Sequence, residues 1–323
     1  MILAFGDLHL KKDPLRTLTV LNFLDDIKNY CIEHNIKNIV NLGDLFDTPE
    51  CKSTAFVPVF KKFLELSKIT NIYTIIGNHE LKDKDGTDTL VETFSSFSHF
   101  IKKSETINID GYDYDFMSYT DNPENIPNKS RVLFGHLEVE GFYYNPNKKI
   151  DQSCFTTEMF DQYNLVVSGH LHHEQHRGNF EFVGSPYPTR KDEGGKKNYF
   201  SIIDGDRYEL IEYNNGPDYI TINAEHFNDN IDYSNKIVTI QISKKVENFV
   251  KLRDILIERG ALEINPEFIK EEIVDENEHR IDINEGVIQS AAKYLQEIKA
   301  SEIDNNKLLN CYKNILRRIK NAN

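Results

Sequence analysis

Asp7, His9, Asp44, Asn78, His136, His170 and His172 are the residues of this chain whose types and placement point to chemistry. Five of them end an apolar run that closes on glycine: MILAFGD, IVNLGD, IYTIIGN, RVLFGH and LVVSGH. His9 and His172 follow two residues later, in GDLHL and GHLHH. Each run reads as a buried strand, and its glycine lets the backbone turn tightly at the strand's end. Open α/β sheets gather ligands beyond the carboxyl ends of their strands. The seven donors should therefore converge, and a set of that size and type suits two divalent metal ions. Asp44, with two carboxylate oxygens, could bridge them. One residue separates His170 from His172, so both can point the same way from extended backbone. His79 stands beside Asn78 and should point away from the metal that Asn78 binds. A histidine so placed suits a general acid for a leaving alkoxide, or a group that orients the substrate phosphate. Glu80 could hold that imidazole in one tautomer.

The elements that must position these residues alternate. Helical periodicity over 16–33 places Leu18, Leu21, Leu24 and Ile27 on one side, and a second helix is expected over 54–68. Strand–helix–strand repetition implies a parallel sheet with right-handed crossovers. From about residue 105 short strands dominate: 105–109, 112–117, 131–135, 164–168, 179–183, 198–203 and 208–213. The turns at 110–111 and 204–206 read as hairpins, which predicts a second, more antiparallel sheet stacked on the first. The expected class is α/β, with two stacked mixed sheets flanked by helices over residues 1–213. Asn-Asn-Gly-Pro at 214–217 marks a boundary. Residues 214–269 then read as a small α+β cap, with a strand at 236–243, a helix at 246–259 and a strand at 261–264. Residues 270–323 read as a charged linker followed by helices at 286–299 and 305–320.

Composition narrows the setting. With 323 residues, a 39% apolar fraction, 20 Phe and 16 Tyr, the chain can build a large core. No apolar stretch approaches the roughly 20 residues that span a bilayer, and MILAFG is too short for a signal peptide. Cys31, Cys51, Cys154 and Cys311 are scattered without a CxxC pair, which suggests reduced thiols and the cytoplasm. The formal charge of −14 is the wrong sign for an isolated protein that grips nucleic acid. Either a partner supplies the basic surface or the substrate is small.

Taken in order, GDLHL, GD at 43–44, GNHE, GH at 135–136 and GHLH resemble the motif set of the calcineurin-like metallophosphoesterases. That resemblance covers roughly residues 1–213. It implies that Asp7, His9, Asp44 and His172 hold one metal and that Asp44, Asn78, His136 and His170 hold the other. A metal pair about 3.5–4 Å apart clamps a phosphoryl group and acidifies a bound water. Mixed nitrogen and oxygen ligation suits Mn, Fe or Zn better than Mg or Ca; manganese is the expectation, chiefly by resemblance.

A narrower resemblance lies around these motifs. GDLFD at 43–47, GHLEVEGF at 135–142, SGHLHH at 168–173 and FVGSPYPTRKDE at 182–193 resemble the SbcD-type nuclease subunits. Length and the GHLEVEGFYY stretch look most like the recombination endonuclease subunits of T-even-type phages. The resemblance implies a manganese-dependent DNA exonuclease and single-strand endonuclease, acting in recombination, repair and replication in a bacterial or phage-infected cell. It implies a homodimer that works with an SMC-like coiled-coil ATPase, a cap that orients DNA, and a C-terminal segment placed to bind the ATPase. The sequence departs from the pattern at Asp47, where cellular relatives usually carry His, and at Lys11, where glycine often follows DxHL. In the loop GSPYPTRKDEGGKK, Gly184 and Pro186 set a tight turn, and Arg190, Lys191, Lys196 and Lys197 could approach phosphates. Two other readings stay open: a phosphoesterase of nucleotides or phosphoproteins, and a non-catalytic scaffold of the same fold.

Overall fold

The computed structural model describes residues 1–82, 89–227, 231–242 and 249–269. The chain builds β1 (Ile2–Phe5), helix α1 (Pro14–Glu33), β2 (Asn38–Asn41), α2 (Ser53–Leu66), β3 (Asn71–Ile75) and β4 (His99–Ile101). It then lays down β5 (Glu105–Ile109), β6 (Tyr112–Met117) and β7 (Val132–His136). A short ribbon of β8 (Tyr143–Asn145) and β9 (Lys148–Lys149) follows, then β10 (Leu165–Gly169), β11 (Gln175–Arg177) and β12 (Phe180–Phe182). The hairpin β13 (Tyr199–Asp204) and β14 (Arg207–Glu212) completes the first two sheets. Their orders are β14-β13-β1-β2-β3-β4 and β11-β12-β10-β7-β6-β5.

The central runs are apolar throughout because both strand faces are covered. In β1, Ile2 and Ala4 face the second sheet, while Leu3 and Phe5 join the core formed with the helices. α1 starts where Asp13 accepts the Arg16 amide at 2.9 Å, just before Pro14. It buries Val20, Phe23, Leu24 and Ile27, at helical spacing, on that first core. Between the sheets lie Val40, Ile75, Phe116, Phe134 and Val167. Residues from the loops between β7 and β10, including Phe142, Phe155 and Phe160, cover the outer face of the second sheet at Leu133 and Val166.

Two sequence expectations are corrected. The 198–203 and 208–213 strands belong to the first sheet, where β13 pairs antiparallel with β1. The second sheet is parallel through its centre, at β6–β7, β7–β10 and β10–β12, and antiparallel only at its edges. Its parallel crossovers run through loops and short 3-10 turns rather than α-helices, so no helical periodicity announces them.

Beyond residue 217, β15 (Asp218–Asn223), β16 (Lys236–Ile242) and β17 (Glu263–Phe268) form a three-stranded parallel sheet, with α3 (Phe249–Glu258) between the last two. The strand at 218–223 is absent from the sequence reading; only Ile222 in it is buried. Tyr219 reaches back to α1: the Arg16 guanidinium donates to its hydroxyl and lies 5.1 Å from its ring centroid. The expected linker and the helices at 286–299 and 305–320 lie outside the described residues.

The loops after β2 and β3 pack without space for a methyl group. A Cβ on Gly77 would sit 2.1 Å from Asp44 Oδ1 and 2.4 Å from the Asp44 amide nitrogen. Gly77→Ala should therefore destabilise the protein by about 1–3 kcal/mol or more, read as a lower midpoint in denaturant. An unchanged midpoint would show that this close approach is not required.

Candidate metal centre

The seven donors of the sequence reading lie together beyond β1, β2, β3, β7 and β10. Four of them take left-handed backbone: Asp7 (φ 56°), His9 (φ 44°), Asp44 (φ 51°) and His170 (φ 90°). Such angles are uncommon outside glycine and are concentrated at functional sites. Backbone hydrogen bonds hold the turns in place, with Asp7 N donating to Gly43 O at 2.9 Å and His9 N to Asp44 O at 3.0 Å.

Two groups of the expected ligands form around Asp44, and His79 makes a third set with His9 and Asp44. In the first, donor atoms of Asp7, His9 and His172 lie within 4.8 Å of one another. His9 Nε2 is 2.8 Å from His172 Nε2 and 3.7 Å from Asp44 Oδ2. In the second, Asp44, His136 and His170 satisfy the same limit. Asn78 Oδ1 joins them, 3.1 Å from His136 Nε2 and 2.9 Å from His170 Nδ1. Asp44 Oδ2 stands 3.6 Å from His136 Nε2, so one carboxylate faces both groups.

Hydrogen bonds behind the rings fix which nitrogens face inward. His136 Nδ1–H donates to the Leu42 carbonyl at 2.8 Å, His172 Nδ1–H to Glu193 Oε1 at 2.6 Å, and His170 Nε2–H to Glu138 Oε2 at 3.3 Å. A carbonyl or carboxylate oxygen only accepts, so in the neutral ring the opposite nitrogen carries the lone pair. These lone pairs point at Asp44 Oδ2, Asn78 Oδ1 and His9 Nε2. For His136 and His170 the facing atoms are oxygens that only accept, so lone pair meets lone pair unless a cation lies between them, and the donor set fits a pair of divalent metals on that ground. The outer carboxylates match the usual orientation of metal-binding histidines by a second group.

The electrostatics agree. Burial pushes the His136 imidazole down to about 4, so it is neutral and ready to ligate near pH 7. Burial, then the neighbouring His172, also lowers His9. Asp7 is held well above the usual carboxylate range by burial and by the charge of Asp44. Burial opposes ionisation of Glu193, but hydrogen bonds from His172 and Thr189 bring its carboxyl down to about 2.

His79 lies next to the first group, its ring 4.6 Å from His9 and its Nε2 4.0 Å from Asp44 Oδ2. Its Nδ1–H donates to the Asp47 carbonyl at 2.8 Å. The expected role of Glu80 is therefore corrected. The buried Glu80 carboxylate accepts the amides of Gly77, Asp44 and Phe46 at 2.8, 3.1 and 2.9 Å, and so braces the loops that carry Asp44 and Asn78. Burial and then Asp44 push it up to about 8, against the pull of those three amides.

Of the loop cations, Lys191 pairs with Glu267 at 2.9 Å and Lys197 with Glu212 at 2.6 Å, while Lys196 Nζ meets His173 Nε2 at 2.8 Å. Arg190 remains exposed, close enough to His9 to lower its pKa. His176 is exposed beside Glu181. Glu138 and Glu193 are functional neighbours that the motif reading missed. Each lies inside a stretch singled out for resemblance, but carboxylates 32 and 21 residues from their histidines leave no local spacing to find.

A family model described as calcineurin-like phosphoesterase matches residues 1–174. No curated protein matches the chain. Among solved structures, the chain is similar to a dimetal phosphatase from Danio rerio, at 10% identity over 66% of this chain and 98% of that one, with a TM-score of 0.38. It is also similar to a protein of unknown function from Aquifex aeolicus, at 12% identity over 50% of this chain and 93% of that one, with a TM-score of 0.26.

If the outer carboxylates orient the metal histidines, Glu193→Ala and Glu138→Ala should each weaken Mn2+ binding by about 10–100-fold. Calorimetric titration of the metal-free variants would measure this, and wild-type affinity in both would remove the orienting role.

Proposed function

The chain belongs to the calcineurin-like phosphoesterase family, and on that premise we propose that it is a DNA nuclease of the SbcD type that hydrolyses phosphodiesters with two divalent metals, Mn2+ foremost. The observation that carries the phosphoester chemistry is Asp44, whose Oδ2 faces His9 on one side and His136 on the other. Asp7, His9, Asp44 and His172 would hold one ion, and Asp44, Asn78, His136 and His170 the other. Bound there, the pair supplies positive charge that neutralises phosphoryl oxygens and acidifies a water.

The chain's own groups do the rest. Glu193, Glu138 and the Leu42 carbonyl keep the ligand nitrogens of His172, His170 and His136 turned inward. With Nδ1–H on the Asp47 carbonyl, His79 has Nε2 as the nitrogen at which a second proton is gained and given up. That partner suits both the neutral ring and the imidazolium, so Nε2 can give its proton to the leaving oxygen as the P–O bond breaks. DNA as substrate is supported by the resemblance over 43–47, 135–142, 168–173 and 182–193. Two of those stretches supply Glu138 and Glu193.

The charge of −14 and the pairing of Lys191 and Lys197 with carboxylates limit the basic surface that the 190–197 loop can offer DNA. An SMC-like ATPase partner would then supply much of the DNA affinity, to a nuclease that acts as a homodimer. The SbcD-type assignment also carries the role in recombination and repair.

With Mn2+ and labelled single- and double-stranded DNA, the wild type should cleave both. His79→Ala should lose about 10²–10⁴ in rate while still binding metal, and Asp7→Ala should lose metal binding as well. Hydrolysis of nucleotides or phosphoproteins with no cleavage of DNA would replace this reading with a small-substrate phosphoesterase. Adding the ATPase should strengthen DNA binding; equal, salt-sensitive binding with and without it would exclude the division of labour.

A further inference from the structure

A cavity of about 760 Å3 adjoins the second metal group and is lined in part by Asn78 and His136 themselves. Its size lies in the range of small-molecule sites, about 300–1,000 Å3. Whatever is esterified to a phosphate held at that group must extend either into this space or away from it.

The lining is selective. Tyr119 sits at the junction, its ring centroid 5.9 Å from that of His136 and 5.7 Å from that of His170. Its hydroxyl has no hydrogen-bond partner among the described residues, although its amide is fixed on Ile76 O. Thr120, Asn122 and Gln152 add neutral hydrogen-bonding groups. The two carboxylates in the wall are already engaged: Asp121 accepts the Ser118 amide at 2.9 Å, and Glu138 holds His170 and Tyr144. Lys82, the only cationic side chain in the lining among the described residues, lies 3.8 Å from Glu50. A wall with two anions and one paired cation repels a further phosphate. An aromatic ring beside neutral amides and a hydroxyl instead suits an uncharged, flat, hydrogen-bonding group.

We propose that this cavity is a nucleoside subsite, taking the base and sugar on one side of the scissile phosphate with the base against Tyr119. The proposal rests on the nuclease reading and gives that site a means of gripping a nucleotide besides its phosphate. Stacking tolerates any base, so the subsite would bind without reading sequence.

The test compares inhibitors of a small phosphodiester reaction, the Mn2+-dependent hydrolysis of bis(p-nitrophenyl) phosphate. Deoxyadenosine monophosphate should inhibit the wild type at concentrations about tenfold or more below those of inorganic phosphate. Tyr119→Ala should abolish that advantage without changing inhibition by phosphate, and Tyr119→Phe should restore it. Inhibition constants are compared, not rates, because Tyr119 packs beside two metal histidines. On DNA, Tyr119→Ala should lower kcat/KM by about tenfold. The proposal is overturned if the nucleotide is no better than phosphate in the wild type, or if its advantage survives in Tyr119→Ala. Wild-type hydrolysis of the small diester without cleavage of DNA would instead overturn the nuclease reading, and the inhibition constants would still decide the subsite.

Discussion

Imidazole nitrogens turned onto acceptor oxygens and onto one another are the arrangement on which the rest of this structure depends. His136 Nε2, His170 Nδ1 and His172 Nε2 all face oxygens or another imidazole nitrogen at 2.8–3.6 Å. Left alone, such groups separate or take up protons. Here they are held by supports that are themselves buried: the Leu42 carbonyl, Glu193, and Glu80 with its three amide donors. The strained backbone at Asp7, His9, Asp44 and His170 belongs to the same arrangement. Each departure from local preference brings a donor inward, and the packed sandwich bears its cost.

The two sheets divide this work. β1, β2 and β3 deliver the carboxylates, the amide and His9, whereas β7 and β10 deliver three imidazoles. All five run parallel to a neighbour, so their carboxyl ends open on one edge. The core between the sheets, with Phe116 and Phe134 fully buried, sets how far apart the two sets of donors stand. Core packing and ligand geometry are therefore one constraint. Glycine is required at 43, 77 and 169, where any side chain would press on Asp44, Asp7 or His136 or on the backbone that carries them.

Much of this was legible in the sequence. The apolar runs ending in glycine located the central strands and the seven donors, because burial on both faces and a tight exit leave a local mark. The helices at 14–33 and 53–66 were legible for the same reason, through their periodic apolar faces. What escaped depends on partners distant along the chain. The parallel pairing of β6, β7, β10 and β12 runs through loops with no periodicity. The pairing of β13 with β1 sets Ile2 opposite Ile203, far apart along the chain. Glu138 and Glu193 meet their histidines only after folding, and Glu80 proved to serve amide groups rather than the ring beside it.

Position 47 shows how an enzyme of this kind can diverge at its centre without dismantling it. The Asp47 carbonyl fixes the tautomer of His79, a service that any residue type can render. Its side chain occupies a different place, with Oδ1 3.8 Å from His9 Nδ1, an atom with no hydrogen-bond partner among the described residues, and 3.9 Å from Lys11 Nζ. Main chain and side chain thus answer to separate demands at one residue. Substitution at 47 can therefore retune the surroundings of His9 while the His79 ring keeps its main-chain support.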